Sequence, residues 1–226
     1  IASSKFTAKH IYEIYKIKSE VIYLGANDEF FKTNPKKSRA ILCLGDIKAR
    51  NALFLLHAAE KLYKKRQDFE IWIAGDKELH GNELKQLSNE LGLKNIVKFF
   101  GKVSDKKLAS LYADSSVFIH LVKDAPFGMQ VIEAMASGTP VISWKPGGPE
   151  ESITQNETGF LIPQFNYDEL IKHIELFLDD PELTVKMGNK AREHAKTFFT
   201  SNDIYSQIRN FIITTIAKKN LLKNNN

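Results

Sequence analysis

Residues 124–151 read DAPFGMQVIEAMASGTPVISWKPGGPEE. A turn around Pro126 leads into a helix-like run, expected to start near Phe127. That run stops at Gly138, and Pro140 blocks its continuation. A short apolar strand, VISW, then runs into the turn Pro146-Gly147-Gly148. The strand FIHLV enters the stretch from its N-terminal side. The first amides of such a helix, here Gly128, Met129 and Gln130, have no intrahelical acceptor, and the helix dipole adds roughly half a positive charge beside them. Strand end, glycine and bare amides together make a cradle for a phosphate or diphosphate. Glu133 lies deeper along the helix, where a carboxylate can accept from sugar hydroxyls. A glutamate early in a helix and a PGG turn also occur without any ligand, so the residues alone leave both readings open.

Outward from this stretch, helix-like and strand-like segments alternate. AILCLG, FEIWIAG, IVKFFG, SVFIHLV, TPVISW and FLIP read as strands. NALFLLHAAEKLYKK, NELKQLSNELG (closed by Gly92), SDKKLASLYADS (capped by Ser104), YDELIKHIELFLD and PELTVKMGNKAREHAKTFF read as helices. Buried strands separated by helices imply βαβ units: an α/β, Rossmann-like parallel sheet with helices on both faces, binding ligands at the C-terminal strand ends. Three strands exit through Gly45, Gly75 and Gly101, which argues for a crevice along one sheet edge. Upstream, AKHIYEIYKI is predicted as an amphipathic helix, EVIYLG as a short strand and ANDEFFKTNPKKS as a polar connector.

The chain has 226 residues, 43% of them hydrophobic, enough for one substantial core. Its net charge of +5 is spread along the sequence, which fits a solvated surface better than a nucleic-acid face. The single cysteine, Cys43, sits in an apolar run and reads as a buried structural thiol; with no partner for a disulfide, a cytoplasmic setting is expected. No apolar run is long enough to span a bilayer and no signal peptide is evident. The first residues read as the tail of something that precedes them, so the chain is expected to be the C-terminal part of a longer protein. Near the other end, Ile204, Ile208, Phe211, Ile212 and Ile216 share one helical face. That face is expected to pack against protein; a membrane-surface helix with Lys218, Lys219 and Lys223 at its polar edge is the alternative.

PFGMQVIEAMASGTPVISWKPGGPEE closely resembles the donor-binding motif of family 4 glycosyltransferases, the retaining enzymes of the GT-B fold. That motif reads Glu, seven residues, Glu, within a frame like EPFGLVVLEAMACGTPVI…GGLPE. Glu133 matches the second glutamate, and Gly128, Ala134, Met135, Ala136, Gly138, Thr139, Pro140, Gly147, Gly148 and Glu151 match the frame. SSKFTAKHIYEIYKIKSEVIYLG is similar to the family's hinge between lobes, NIVKFFGKVSDKKLASLYADSSVFI to the unit before the motif, and NETGFLIP to the segment after it. The resemblance therefore implies a hinge or tail over residues 1–25, a donor-binding domain over 26–200 and a C-terminal amphipathic helix over 201–226 that packs back toward an N-terminal lobe.

The resemblance also implies roles. The donor is a nucleoside-diphosphate sugar, the acceptor an unidentified glycan, lipid or other molecule, and no cofactor or metal is required. Phe127, Gly128, Met129 and Gln130, with Gly147 and Gly148, would hold the diphosphate. Glu133 would bind the ribose, and Lys98 and Phe99 would lie at a strand end beside the base. The family's cationic GRLxxxKG segment appears here as GDIKARN: Asp46 replaces the arginine, Arg50 takes the place of the lysine, and Lys48 is a spare cation for the leaving diphosphate. Ala125 replaces the first glutamate, which in the family touches the donor sugar. Asp124 and His120 are candidate sugar contacts, although Asp124 also suits a turn and His120 a locally bonded histidine. A sugar-nucleotide epimerase of related fold, or a degenerate lobe that binds nucleotide or a partner protein, are the alternatives. A nicotinamide-dependent dehydrogenase would need a Gly-x-Gly-x-x-Gly turn, and none follows the first strand.

Overall fold

The computed structural model describes residues 1–45, 51–75 and 77–224. Among these, the chain alternates strand and helix: β1 (Ala40–Leu44), α2 (Asn51–Tyr63), β2 (Glu70–Ala74), α3 (Lys77–Glu90), β3 (Val97–Gly101), α4 (Asp105–Asp114), β4 (Val117–His120), α5 (Met129–Ala136), β5 (Val141–Lys145) and β6 (Gly159–Pro163). Helix α1 (Lys5–Tyr15) precedes this series, and α6 (Tyr167–Asp179), α7 (Pro181–Phe198) and α8 (Ser201–Asn224) follow it.

The strands form one sheet in the order β3-β2-β1-β4-β5-β6, and every neighbouring pair is parallel. The order reverses between β1 and β4, so the loops leaving these strands part at the C-terminal edge and open a crevice there. Successive residues point to opposite faces, and each face has its own core. Ile41, Cys43, Val117 and Ile119 join Leu55, Leu62 and Phe177 on one side. Leu42 and Phe118 join Tyr112, Ile132 and Met135 on the other. Because both faces are covered, the strands read as continuous apolar runs rather than as alternating ones. Cys43 is fully buried, and burial pushes its thiol up to about 12. It is a packing residue, as expected.

The expected caps hold. The Ser104 side chain accepts from the Lys107 amide at the start of α4, and Gly92 ends α3 in the left-handed region. After α5, Gly138 is also left-handed, and its amide donates to Met135. A Cβ on Gly188 of α7 would stand 2.2 Å from the Gly138 oxygen, so the two helices meet backbone to backbone.

Three expectations change. EVIYLG forms no strand: Val21 makes an isolated bridge to Ala2, because no sheet edge lies beside this segment to pair with it. The connector at residues 26–38 is more anchored than its polarity suggested. It contains a 3-10 turn at Asp28–Phe30 with Phe30 buried, Ser137 donates to the Phe30 carbonyl, and Lys37 donates to the carbonyl of Ala113. The apolar face foreseen in α8 is only partly covered. Ile204 is buried, whereas Ile212 and Ile216 are 48% and 55% exposed. No helix among the described residues is long and apolar enough to cross a membrane.

Candidate donor-binding site

The end of β4, the start of α5 and the end of β5 converge at the switch point of the sheet. Helix α5 begins at Met129, two residues later than its pattern suggested, because Gly128 is left-handed at φ 91° and serves as the N-cap. A Cβ there would lie 3.2 Å from Pro149 and 3.5 Å from the His120 ring, so the turn is packed on both flanks. The Gly128 carbonyl accepts from the Val131 amide and no side chain caps the helix. The amides of Met129 and Gln130 thus begin the helix without an intrahelical acceptor. Phe127, which the resemblance places in the cradle through its amide, buries its ring against Tyr23 and Phe199.

The second glycine turn lies directly against the first. The Gly148 amide donates to the Ala125 carbonyl at 2.7 Å. A Cβ on Gly148 would meet Phe127 Cα and the Pro126 oxygen, each at 2.4 Å. The Gly147 amide donates to the Glu150 carboxylate at 3.0 Å. The sequence pair Phe127–Gln130 and Gly147–Gly148 is therefore one structural unit.

Glu133 projects from α5 toward α4. The Tyr112 hydroxyl donates to its Oε2 at 3.3 Å. Burial raises the Glu133 pKa, the Tyr112 hydrogen bond opposes that rise, and the charge of Asp105 adds to it. Tyr112 is wholly buried, and its own pKa is pushed well above the usual phenol value, first by burial and then by the Glu133 charge. Tyr112 was not foreseen as a site residue. The available hint was a hydroxyl on the apolar face of α4, since a buried tyrosine oxygen needs a partner.

His120 ends β4 and is buried; its Nδ1 lies 3.1 Å from Ser143 Oγ of β5. Desolvation lowers its pKa to about 4, so the ring is neutral at physiological pH. It supports Gly128 from behind. Asp124 is left-handed at φ 51° and exposed, a turn residue, while its neighbour Ala125 is buried at 2% exposure. Lys98 and Phe99 do not form the strand end: they are the second and third residues of β3, which ends at Phe100–Gly101. Lys98 pairs with Glu70 at the opposite end of the sheet from the crevice. The glycine exits do align: Gly45 donates to Ala74, and Gly75 donates to Gly101. Asp46, Lys48 and Arg50 follow β1 and lie outside the described residues, as do the side chains of Lys218, Lys219 and Lys223.

A doubly covered parallel sheet with paired glycine turns at its switch point defines a Rossmann-like lobe of the GT-B type. The profile of the family described as "Glycosyl transferases group 1" matches residues 25–194. The chain belongs to that group 1 glycosyltransferase family. It is 33% identical over 115 residues to a D-inositol 3-phosphate glycosyltransferase of Streptomyces avermitilis, a match covering 51% of this chain and 25% of the relative. A glycosyltransferase from Rickettsia africae superposes with a TM-score of 0.83 at 27% identity, over 93% of this chain and 61% of that one. Anabaena HepE, solved with UDP and glucose, superposes with a TM-score of 0.83 at 23% identity, over 94% of this chain and 62% of that one. At that identity the likeness to HepE is one of fold. The chain spans about a quarter to a half of the length of the curated relatives it matches.

Proposed function

We propose that this chain is the donor-binding lobe of a retaining, family 4 glycosyltransferase that uses a nucleoside-diphosphate sugar. The observation that carries this reading is the junction of the Gly128–Gln130 amides with the Gly147–Gly148 turn, with Glu133 set back along α5. The amides offer fixed dipoles to a diphosphate, and Glu133 offers an acceptor to a ribose. The HepE structures with UDP and with UDP-glucose support a nucleotide-sugar donor for a lobe of this shape. In this reading the departing diphosphate is stabilised by preorganised amides together with Lys48 and Arg50, and no cofactor takes part. The acceptor, a glycan or lipid, would meet the donor against a preceding lobe that also covers the exposed face of α8; residues 1–25 would be the hinge to it. The 226-residue chain by itself would bind donor without turning it over.

Buried Ala125 favours one second reading, a lobe that binds nucleotide but has lost the sugar contact. A thermal-shift screen with UDP, GDP, ADP and NAD tests the proposal. A nucleoside diphosphate should raise the melting temperature and NAD should not. No shift with any diphosphate at millimolar concentration would refute the donor reading.

A further inference from the structure

The N-terminus of α1 meets both turns of the candidate donor site. Glu151 closes the 3-10 turn Gly148–Glu151 that follows the second glycine pair. Its Oε2 accepts from the Lys5 amide and its Oε1 from the Phe6 amide, each at 2.8 Å. The Tyr23 hydroxyl donates to Oε2 at 2.9 Å. These are first-turn amides of a helix, where a carboxylate also gains from the dipole. The other turn is gripped from the same segment. Ser4, wholly buried, caps α1 and donates through Oγ to the Pro126 carbonyl, and Thr7 Oγ1 donates to the same carbonyl at 3.2 Å. The Tyr23 ring stacks on Phe127 at 5.9 Å. The Gly148 amide, bonded to the Ala125 carbonyl, joins the two turns.

We propose that Glu151 is a positioning residue through which α1 sets the spacing of the two donor turns, so that the placement of residues 1–25 and diphosphate binding are coupled. The proposal rests on the donor reading above. It gives Glu151 a role that does not require it to touch the ligand. The N-terminal pole of α1 is already occupied by this carboxylate, which makes the helix a brace rather than a second anion site. Coupling of this kind is reciprocal: whatever shifts α1 alters the cradle, and a filled cradle holds α1.

The test is Lys5→Pro in the 226-residue chain. Proline is tolerated at the first helical position, and Ser4 before it is already extended at φ −160° and ψ 161°. The substitution therefore removes one donor to Glu151 without touching either turn. Residue-resolved amide exchange of Gly148 and Val131 is measured without ligand, and the Kd for inorganic pyrophosphate is measured by titration. Losing one hydrogen bond to a carboxylate should speed exchange at Gly148 and weaken pyrophosphate by about fivefold to tenfold, with the melting temperature nearly unchanged. Glu151→Gln, which keeps the size and removes the charge, should do the same more strongly and serves if Lys5→Pro fails to fold. Wild-type exchange at Gly148 and wild-type pyrophosphate affinity, with α1 amides visibly loosened, would overturn the proposal. If pyrophosphate does not bind the wild-type chain, the donor reading fails, and the exchange at Gly148 still decides the coupling.

Discussion

The Tyr112 hydroxyl of α4 donates to Glu133 Oε2 of α5 at 3.3 Å, across the apolar interface between the two helices. The bond holds one carboxylate oxygen, and in the proposed donor site the other would accept from the ligand. It also opposes the burial that drives Glu133 toward its neutral form. Tyr112→Phe should therefore weaken nucleoside-diphosphate binding by about fivefold, the value of roughly one hydrogen bond, and leave inorganic pyrophosphate unaffected. Calorimetric titration with both ligands checks this. Equal losses would mean that the bond serves the helix packing alone.

Glu133 is held at a cost to the unliganded protein. Its folded pKa is raised, so the folded chain binds more protons than the unfolded one through the window above the ordinary value of 4.5, and stability is lost as pH rises through the folded pKa. Glu133→Gln should melt higher than wild type at pH 8, with the difference closing as the pH falls. The same variant should bind nucleoside diphosphate less well. Thermal melts across pH with parallel titrations would show both effects.

His120 gives the opposite slope. Its folded pKa lies at about 4, below its ordinary 6.5, so the unfolded chain binds more protons between those values and stability falls as pH drops through them. One such group contributes at most about 1.4 kcal/mol per pH unit. Urea unfolding of His120→Gln between pH 7 and pH 4 should give a shallower decline than wild type. Identical slopes would mean that His120 takes up its proton as readily in the folded chain as in the unfolded one.

Gly148 is the steric hinge of the site. With Phe127 Cα and the Pro126 oxygen 2.4 Å from any Cβ, backbone must move to admit alanine. Gly148→Ala should cost about 1–3 kcal/mol, the usual range for overpacking, and should also reduce pyrophosphate binding by spreading the two turns. Denaturant unfolding and pyrophosphate titration of the variant measure the two consequences separately.

Much of this architecture is legible in the amino-acid sequence because strands buried on both faces leave unbroken apolar runs, and AILCLG and VFIH are such runs. The Ser104 cap and the Gly138 stop are local chemistry and are readable for the same reason. What depends on distant partners is not. The helix start at Met129 follows from packing of Gly128 between Pro149 and His120. VIYLG has strand composition, but among the described residues it makes a single bridge, from Val21 to Ala2. The run IVKFFG marks β3 to within one residue and its end at Gly101; only the resemblance puts Lys98 and Phe99 at a strand end. The partnerships of Glu133 with Tyr112 and of Glu151 with α1 join residues far apart in the chain. The motif frame supplies the two glutamates but not what holds them.

In the proposed donor site the amides at the start of α5 cradle the diphosphate. Backbone NMR of the chain titrated with inorganic pyrophosphate tests it most directly. The largest amide shifts should fall on Gly128, Met129 and Gln130, with smaller ones at Gly147 and Gly148. Binding that leaves those amides unmoved and shifts residues elsewhere would contradict it.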